Sequence, residues 1–170
     1  MPAKMDDIAN KLTAETDELL AFVKQEFIKI IREMGKPEII IPESDVKIVF
    51  FLKSKAFEKT LMKVERKGGK IRPGSPIERT PQTSFSETDA ITLKLQSKKR
   101  TFHILLNCVH IRNCAFRLQM ELKGYMTMTL IHEMIHTLES VTGISILRSS
   151  ILKDDGFTVS IYEDWKMRRS

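Results

Sequence analysis

The sequence predicts an α+β domain in which a small mixed sheet packs on helices, and three observations carry that reading. Residues 13–34 set Leu19, Leu20, Phe22, Val23, Phe27, Ile30, Ile31 and Met34 on one apolar stripe, the signature of an amphipathic helix. Residues 90–96 and 101–107 alternate apolar and polar side chains as paired strands do, with Ser97, Lys98, Lys99 and Arg100 as the turn between them. Residues 125–140 are helix-compatible throughout and contain no proline. The order helix, strands, helix, strands, two helices and tail fits an α+β layering better than a regular alternation of strand and helix.

Each element has its own local reason. Gly35 stops the first helix, with Pro37 just beyond it. Residues 38–41 and 46–52 are rich in Ile, Val and Phe and read as strands. Ser54 caps a helix running to about residue 66, with Ala56, Phe57, Leu61 and Val64 inward. Residues 67–88 hold Gly68, Gly69, Gly74 and three prolines and show no periodicity. A loop of that length in a compact domain is either functional or flexible. Residues 113–123 read as a helix, Gly124 separates it from the next one, and Gly143 ends that one. The tail, 144–170, is ambiguous.

Bulk properties bound the function. At 170 residues, with 42% apolar and 29% charged side chains, one domain spanning 1–170 is the expected organisation. No apolar run approaches the ~20 residues a membrane span needs, so no membrane partner is expected. The acidic Met5-Asp6-Asp7 stretch does not resemble a secretory signal. Two cysteines, Cys108 and Cys114, are too few for a disulfide framework, so a cytoplasmic location is expected. The net charge of +6, with basic clusters at 63–72, 94–100 and 166–169, suits an anionic partner such as nucleic acid. The clusters lack interleaved aromatic residues, and their plain alternative is a solvated charged face.

The chemistry concentrates in His132-Glu133-Met134-Ile135-His136. Two imidazoles four residues apart lie about 40° apart around a helix and about 6 Å apart along it. Both rings therefore reach one zinc ion at about 2.0–2.1 Å. Glu133, between them, is placed to act as general base toward water. Leu130, Ile131, Met134, Ile135 and Leu138 would anchor the helix in a core. A di-iron carboxylate site would need a second Glu-x-x-His, and the chain has none.

At these residues the chain resembles the zincin metallopeptidases. Leu130 to His136, continuing to Val141-Thr142, is similar to the active helix of SprT-like proteases, the group that includes Spartan. The resemblance implies a minimal zincin-like domain with its active-site helix, a Zn2+ cofactor, and hydrolysis of peptide bonds in a peptide or protein substrate. It implies His132 and His136 as ligands and Glu133 as the base. In zincins the substrate lies extended along an edge strand; 101–107 or 90–96 is the candidate here. SprT-like enzymes cleave proteins attached to DNA, a role that a basic surface would suit.

A catalytic zinc site takes three protein ligands and leaves one position open. The SprT-like third ligand is a histidine in a downstream His-Gly-x-x-Phe-like segment. The counterpart here, Asp154-Asp155-Gly156-Phe157, offers an aspartate, and no histidine follows His136. Asp155 is the leading candidate, with Asp154, Glu163 and Glu139 as alternatives. Glu139 shares the helical face of the two histidines, but its Cα lies about 10 Å along the axis from that of His132, which suits orienting His136 better than ligation. His110 sits near Cys108 and Cys114, but a Cys/His zinc cluster needs four ligands at tighter spacing, so His103 reads as a strand histidine, His110 as a loop histidine, and the two cysteines as buried small side chains. Tyr162 is a candidate oxyanion donor, with packing as its plainer role. The alternative to an enzyme is a non-catalytic, metal-stabilised module that binds nucleic acid or protein.

Overall fold

A computed structural model describes residues 4–36, 40–66, 89–94, 100–147 and 156–169. The described elements run α1 (Met5–Glu33), β1 (Asp45–Phe51), α2 (Ser54–Arg66), β2 (Ala90–Lys94), β3 (Thr101–Asn107), α3 (Cys108–Arg117), α4 (Leu122–Thr142) and α5 (Gly156–Arg168). Five helices and a three-stranded mixed sheet make an α+β arrangement among these residues.

The sheet order is β1-β3-β2. β1 runs parallel to β3, with Ile48 opposite Ile104, and β2 runs antiparallel to it, with Thr92 also opposite Ile104. Side chains alternate across the pleat. Ala90, Ile104 and Leu106 face the larger core, built with α1, α4 and α5. Ile91, Leu93 and Leu105 face Phe57 and Leu61 of α2. The molecule is thus three layers: α2, the sheet, and a helical layer centred on α4. Leu130, Ile131, Met134, Ile135 and Leu138 have no exposed surface. Burying each such side chain is worth about 1.5–3 kcal/mol, so α4 is held more by its neighbours than by helix propensity.

Several expectations shift. α1 begins at Met5, because Ile8 and Leu12 extend its apolar stripe and Asp6 and Asp7 favour the positive end of the helix dipole. Gly35, at φ +74°, takes the left-handed turn expected of it. Ile40 and Ile41, the part of 38–41 that is described, form no strand, and Ile40 is 92% exposed. Ser54 is the first residue of α2, and its hydroxyl donates to Asn107 Oδ1 at 3.3 Å; Ala56 faces solvent. α3 starts at Cys108, so His110 is helical. Its N-cap is Asn107, whose side chain accepts from the His110 N–H.

Gly124 does not separate two helices but lies inside α4. A β-carbon there would collide with the Tyr162 hydroxyl of α5, so glycine permits a close helix–helix approach. Gly143 ends α4 at φ +74° as expected. β3 is the central strand, which removes 101–107 as a substrate edge. β2 is an outer strand, yet Ala90, Ile91 and Thr92 have no exposed surface, so this edge is not open to solvent. Residues 67–88 and 95–99 lie outside the described residues. Among those described, no helix is long and apolar enough to cross a membrane.

Candidate metal centre

α4 presents His132, Glu133 and His136 at the spacing that one helical turn dictates. His132 Nε2 and His136 Nε2 converge to 3.0 Å, with the rings nearly perpendicular at 82°. Two nitrogens bound to one tetrahedral zinc at about 2.0–2.1 Å would stand about 3.3–3.4 Å apart, so the pair needs only a small opening to accept the ion. His136 is buried, and its other nitrogen, Nδ1, lies 3.0 Å from Glu139 Oε1. With the Nδ1 proton donated to that carboxylate, the lone pair is left on Nε2, the atom that faces His132.

Glu139 is itself anchored. Its Oε2 accepts from the Ile146 and Leu147 N–H groups just past the helix end, at 2.5 and 3.1 Å. Burial works to raise the carboxyl pKa, but the hydrogen bonds from His136 and from these two amides outweigh it and hold the group below its usual value. Glu139 thus meets the outer side of the His136 ring.

Glu133 has about 1% of its surface exposed. Thr92 Oγ1 of β2, also buried, donates to Glu133 Oε2 at 2.5 Å. The β2 alternation explains the meeting, since Thr92 points to the same face as Ala90, toward α4. Nothing in the local sequence around Thr92 marks this role; it requires the strand pairing.

A cleft of about 200 Å3 opens beside these groups. Asp89, Tyr125, Met128, Thr129, His132, Glu133, Thr158 and Val159 line it. The cleft therefore lies between α4, the start of α5 and the entry to β2. Its volume is smaller than a typical drug-sized pocket of about 300–1,000 Å3.

The other candidate residues fall elsewhere. Asp154 and Asp155 lie outside the described residues. Glu163 is more than half exposed and pairs with Lys166 at 3.3 Å. Tyr162 packs over Gly124 and does not line the cleft, where Tyr125 stands instead. In the basic cluster 166–169 the two arginines pack against α1, while Lys166 is exposed. Arg169 pairs with Glu15 and Glu18 of α1 at 3.2 and 2.9 Å, and Arg168 stacks over Phe22.

A second cluster forms at the junction of β3 and α3. The Asn107 N–H donates to the Asp89 carbonyl at 2.8 Å, which brings Asp89 beside the start of α3. There Asp89, His110 and Cys114 each bring one potential ligand atom within 4.8 Å of the others, a group that could hold a metal ion. It is the one such group of three among the described residues, so none of those residues adds a third acidic, histidine or cysteine ligand to His132 and His136 at that spacing. Tyr125 donates to Asp89 Oδ2 at 2.5 Å. Burial, and then the hydrogen bond to Asp89 and its charge, raise the Tyr125 pKa, so the phenol stays a proton donor. The sequence signal that points here is His110-x-x-x-Cys114, the same four-residue spacing as in α4. Comparison of the chain with protein-family models, curated proteins and solved structures finds no match.

Proposed function

We propose that the chain is a zinc-dependent metallopeptidase of the zincin type, with His132 and His136 as ligands and Glu133 as general base. The observation that carries the reading is the convergence of the two Nε2 atoms to 3.0 Å, with Glu139 holding the far side of one ring. Imidazole pairs fixed this way suit a transition-metal ion. Asp155 is the proposed third ligand, with Asp154 as its alternative. Support for that choice comes from Thr158 and Val159, a few residues downstream, which line the same cleft as His132 and Glu133.

Zinc, when bound, supplies Lewis acidity, acidifying water and polarising a carbonyl. The protein's own groups do the rest. Glu133 takes a proton from the attacking water and returns it to the leaving amine. Thr92 fixes the carboxylate by donating to Oε2, which leaves Oε1 to meet the water. The buried setting of Glu133 strengthens both interactions. The cleft beside Met128, Thr129 and Val159 receives one side chain of the peptide. A substrate carried on nucleic acid would meet the remaining basic residues, since in the cluster 166–169 only Arg169 pairs with acids of α1.

Glu133→Gln and His132→Ala separate the roles when assayed with zinc-loaded protein on casein. The first is expected to keep its zinc and lose about 100- to 10,000-fold in rate. The second is expected to lose both metal and activity. Undiminished turnover by Glu133→Gln would remove the base assignment. Zinc binding without turnover in the unmodified protein would favour the metal-stabilised binding module instead.

A further inference from the structure

We infer that Asp89, His110 and Cys114 form a second site for a zinc-class divalent ion, separate from the histidine pair of α4. His110 Nε2 lies 3.5 Å from Cys114 Sγ and 3.5 Å from Asp89 Oδ1. Tetrahedral zinc with bonds of about 2.0–2.1 Å to nitrogen and oxygen and about 2.3 Å to sulfur spaces those atoms about 3.4–3.6 Å apart. Both separations from His110 therefore match those a shared ion imposes, and the Asp89 and Cys114 atoms lie within 4.8 Å of each other.

The hydrogen-bonding pattern agrees. Asp89 Oδ2 accepts from Tyr125, whereas Oδ1 is buried and takes no hydrogen bond. A buried carboxylate oxygen without a hydrogen bond is costly, and a cation removes that cost. Arg117 Nη2 donates to the Cys114 sulfur at 3.2 Å, the kind of outer contact that holds a ligating sulfur in place. Soft sulfur beside imidazole nitrogen selects zinc-class ions over magnesium or calcium.

Cysteine, histidine and aspartate also make up a nucleophile triad. That chemistry needs the thiol and the carboxylate on opposite nitrogens of the ring, so that one nitrogen takes the proton while the other is oriented. Here Cys114 Sγ lies 3.5 Å from Nε2 and 3.9 Å from Nδ1, and Asp89 Oδ1 lies 3.5 Å from that same Nε2, so the thiol and the carboxylate are not divided between opposite nitrogens. Three donors converging on one point suit an ion better than a relay. An ion there would tie the entry of β2 to α3 and fix Asp89 and Tyr125, which line the cleft next to His132. The inference stands whether or not the chain is a peptidase.

Cobalt(II) chloride titration of the full chain tests it, read by the near-ultraviolet thiolate-to-cobalt charge-transfer band. The band is expected in the unmodified protein and in the His132→Ala/His136→Ala double variant, where it reports this site alone. It is expected to be lost in Cys114→Ser and kept in Cys108→Ser. Because Cys114→Ser could unfold, iodoacetamide labelling of the unmodified protein provides an independent readout. Zinc is expected to slow labelling of Cys114 at least tenfold, and a chelator to restore it. No band in the unmodified protein, a band that survives Cys114→Ser, or labelling of Cys114 at the same rate with and without zinc would overturn the site. Rapid labelling in saturating zinc would assign these residues to a nucleophile instead.

Discussion

α3 and α4 each set two potential ligands one helical turn apart, His110 with Cys114 and His132 with His136. The carboxylate meets the two pairs differently. In α4, Glu139 comes from the same helix and approaches Nδ1 of His136, the nitrogen turned away from His132. In α3, Asp89 comes from just before β2 and approaches Nε2 of His110, the nitrogen nearer to Cys114. Helix spacing makes the pair in both cases. Which side of the ring the acid occupies then decides whether it orients a ligand or acts as one.

That difference makes predictions of graded size. Asp89→Asn should abolish the thiolate–cobalt signal, because a ligand is lost. Glu139→Gln should leave zinc at the α4 pair but weaken it by about 10- to 100-fold, the usual cost of losing an orienting partner. Isothermal titration of zinc on both variants makes the comparison, and equal losses would erase the distinction between ligating and orienting acids.

Thr92 is the next test. Thr92→Val keeps the shape and removes the donor to Glu133. Peptidase activity should fall by about 10- to 100-fold, or about 1.4–2.7 kcal/mol in transition-state stabilisation, with zinc affinity unchanged. A parallel fall in metal binding would show that Thr92 supports α4 as a whole and not the base alone.

The seating of α4 on α5 has a smaller effect. Gly124→Ala gains about 1 kcal/mol of helix propensity but forces the Tyr162 ring to move. Overpacking of this kind costs about 1–3 kcal/mol, so net destabilisation is expected in urea unfolding. In a Tyr162→Phe background the same change should cost less. Additive effects would mean that the hydroxyl is not the obstacle.

His103 gives the smallest effect, as a histidine in neither pair. Burial, and then Lys47 opposite it in the β1–β3 register, lower its pKa below the ordinary 6.5. The unfolded chain therefore binds more protons just below that value, and stability should fall as pH drops through it. His103→Gln should make that decline shallower in urea midpoints measured from about pH 7.5 down to about pH 5. An unchanged slope would assign the acid sensitivity to other groups.

The parts of this comparison were not equally legible in the sequence. The α4 pair could be read directly, because period and chemistry coincide in one short string. The stripe of α1 was legible in its middle, while its start at Met5 was hidden by the acidic residues around Ile8. Gly124 misled because its reason is tertiary: glycine suits a helix interior only where another element presses against it, and that element, α5, was itself ambiguous. Asp89 was not legible as a partner of His110. It reaches α3 only through antiparallel pairing of β2 with β3 and the hydrogen bond from Asn107 to its carbonyl. The same pairing hid Thr92. In both regions the helix-borne candidate ligands follow from local spacing, and the groups brought by β2 follow from sheet register.

Binding of one divalent cation by the α4 imidazoles is what the proposed function depends on. It is tested most directly by counting zinc, by mass spectrometry, in the purified full chain and in His132→Ala/His136→Ala after dialysis against the same trace zinc. The double variant is expected to retain one equivalent less than the unmodified protein while staying folded. Equal zinc content in the two proteins, or none in either, would contradict it.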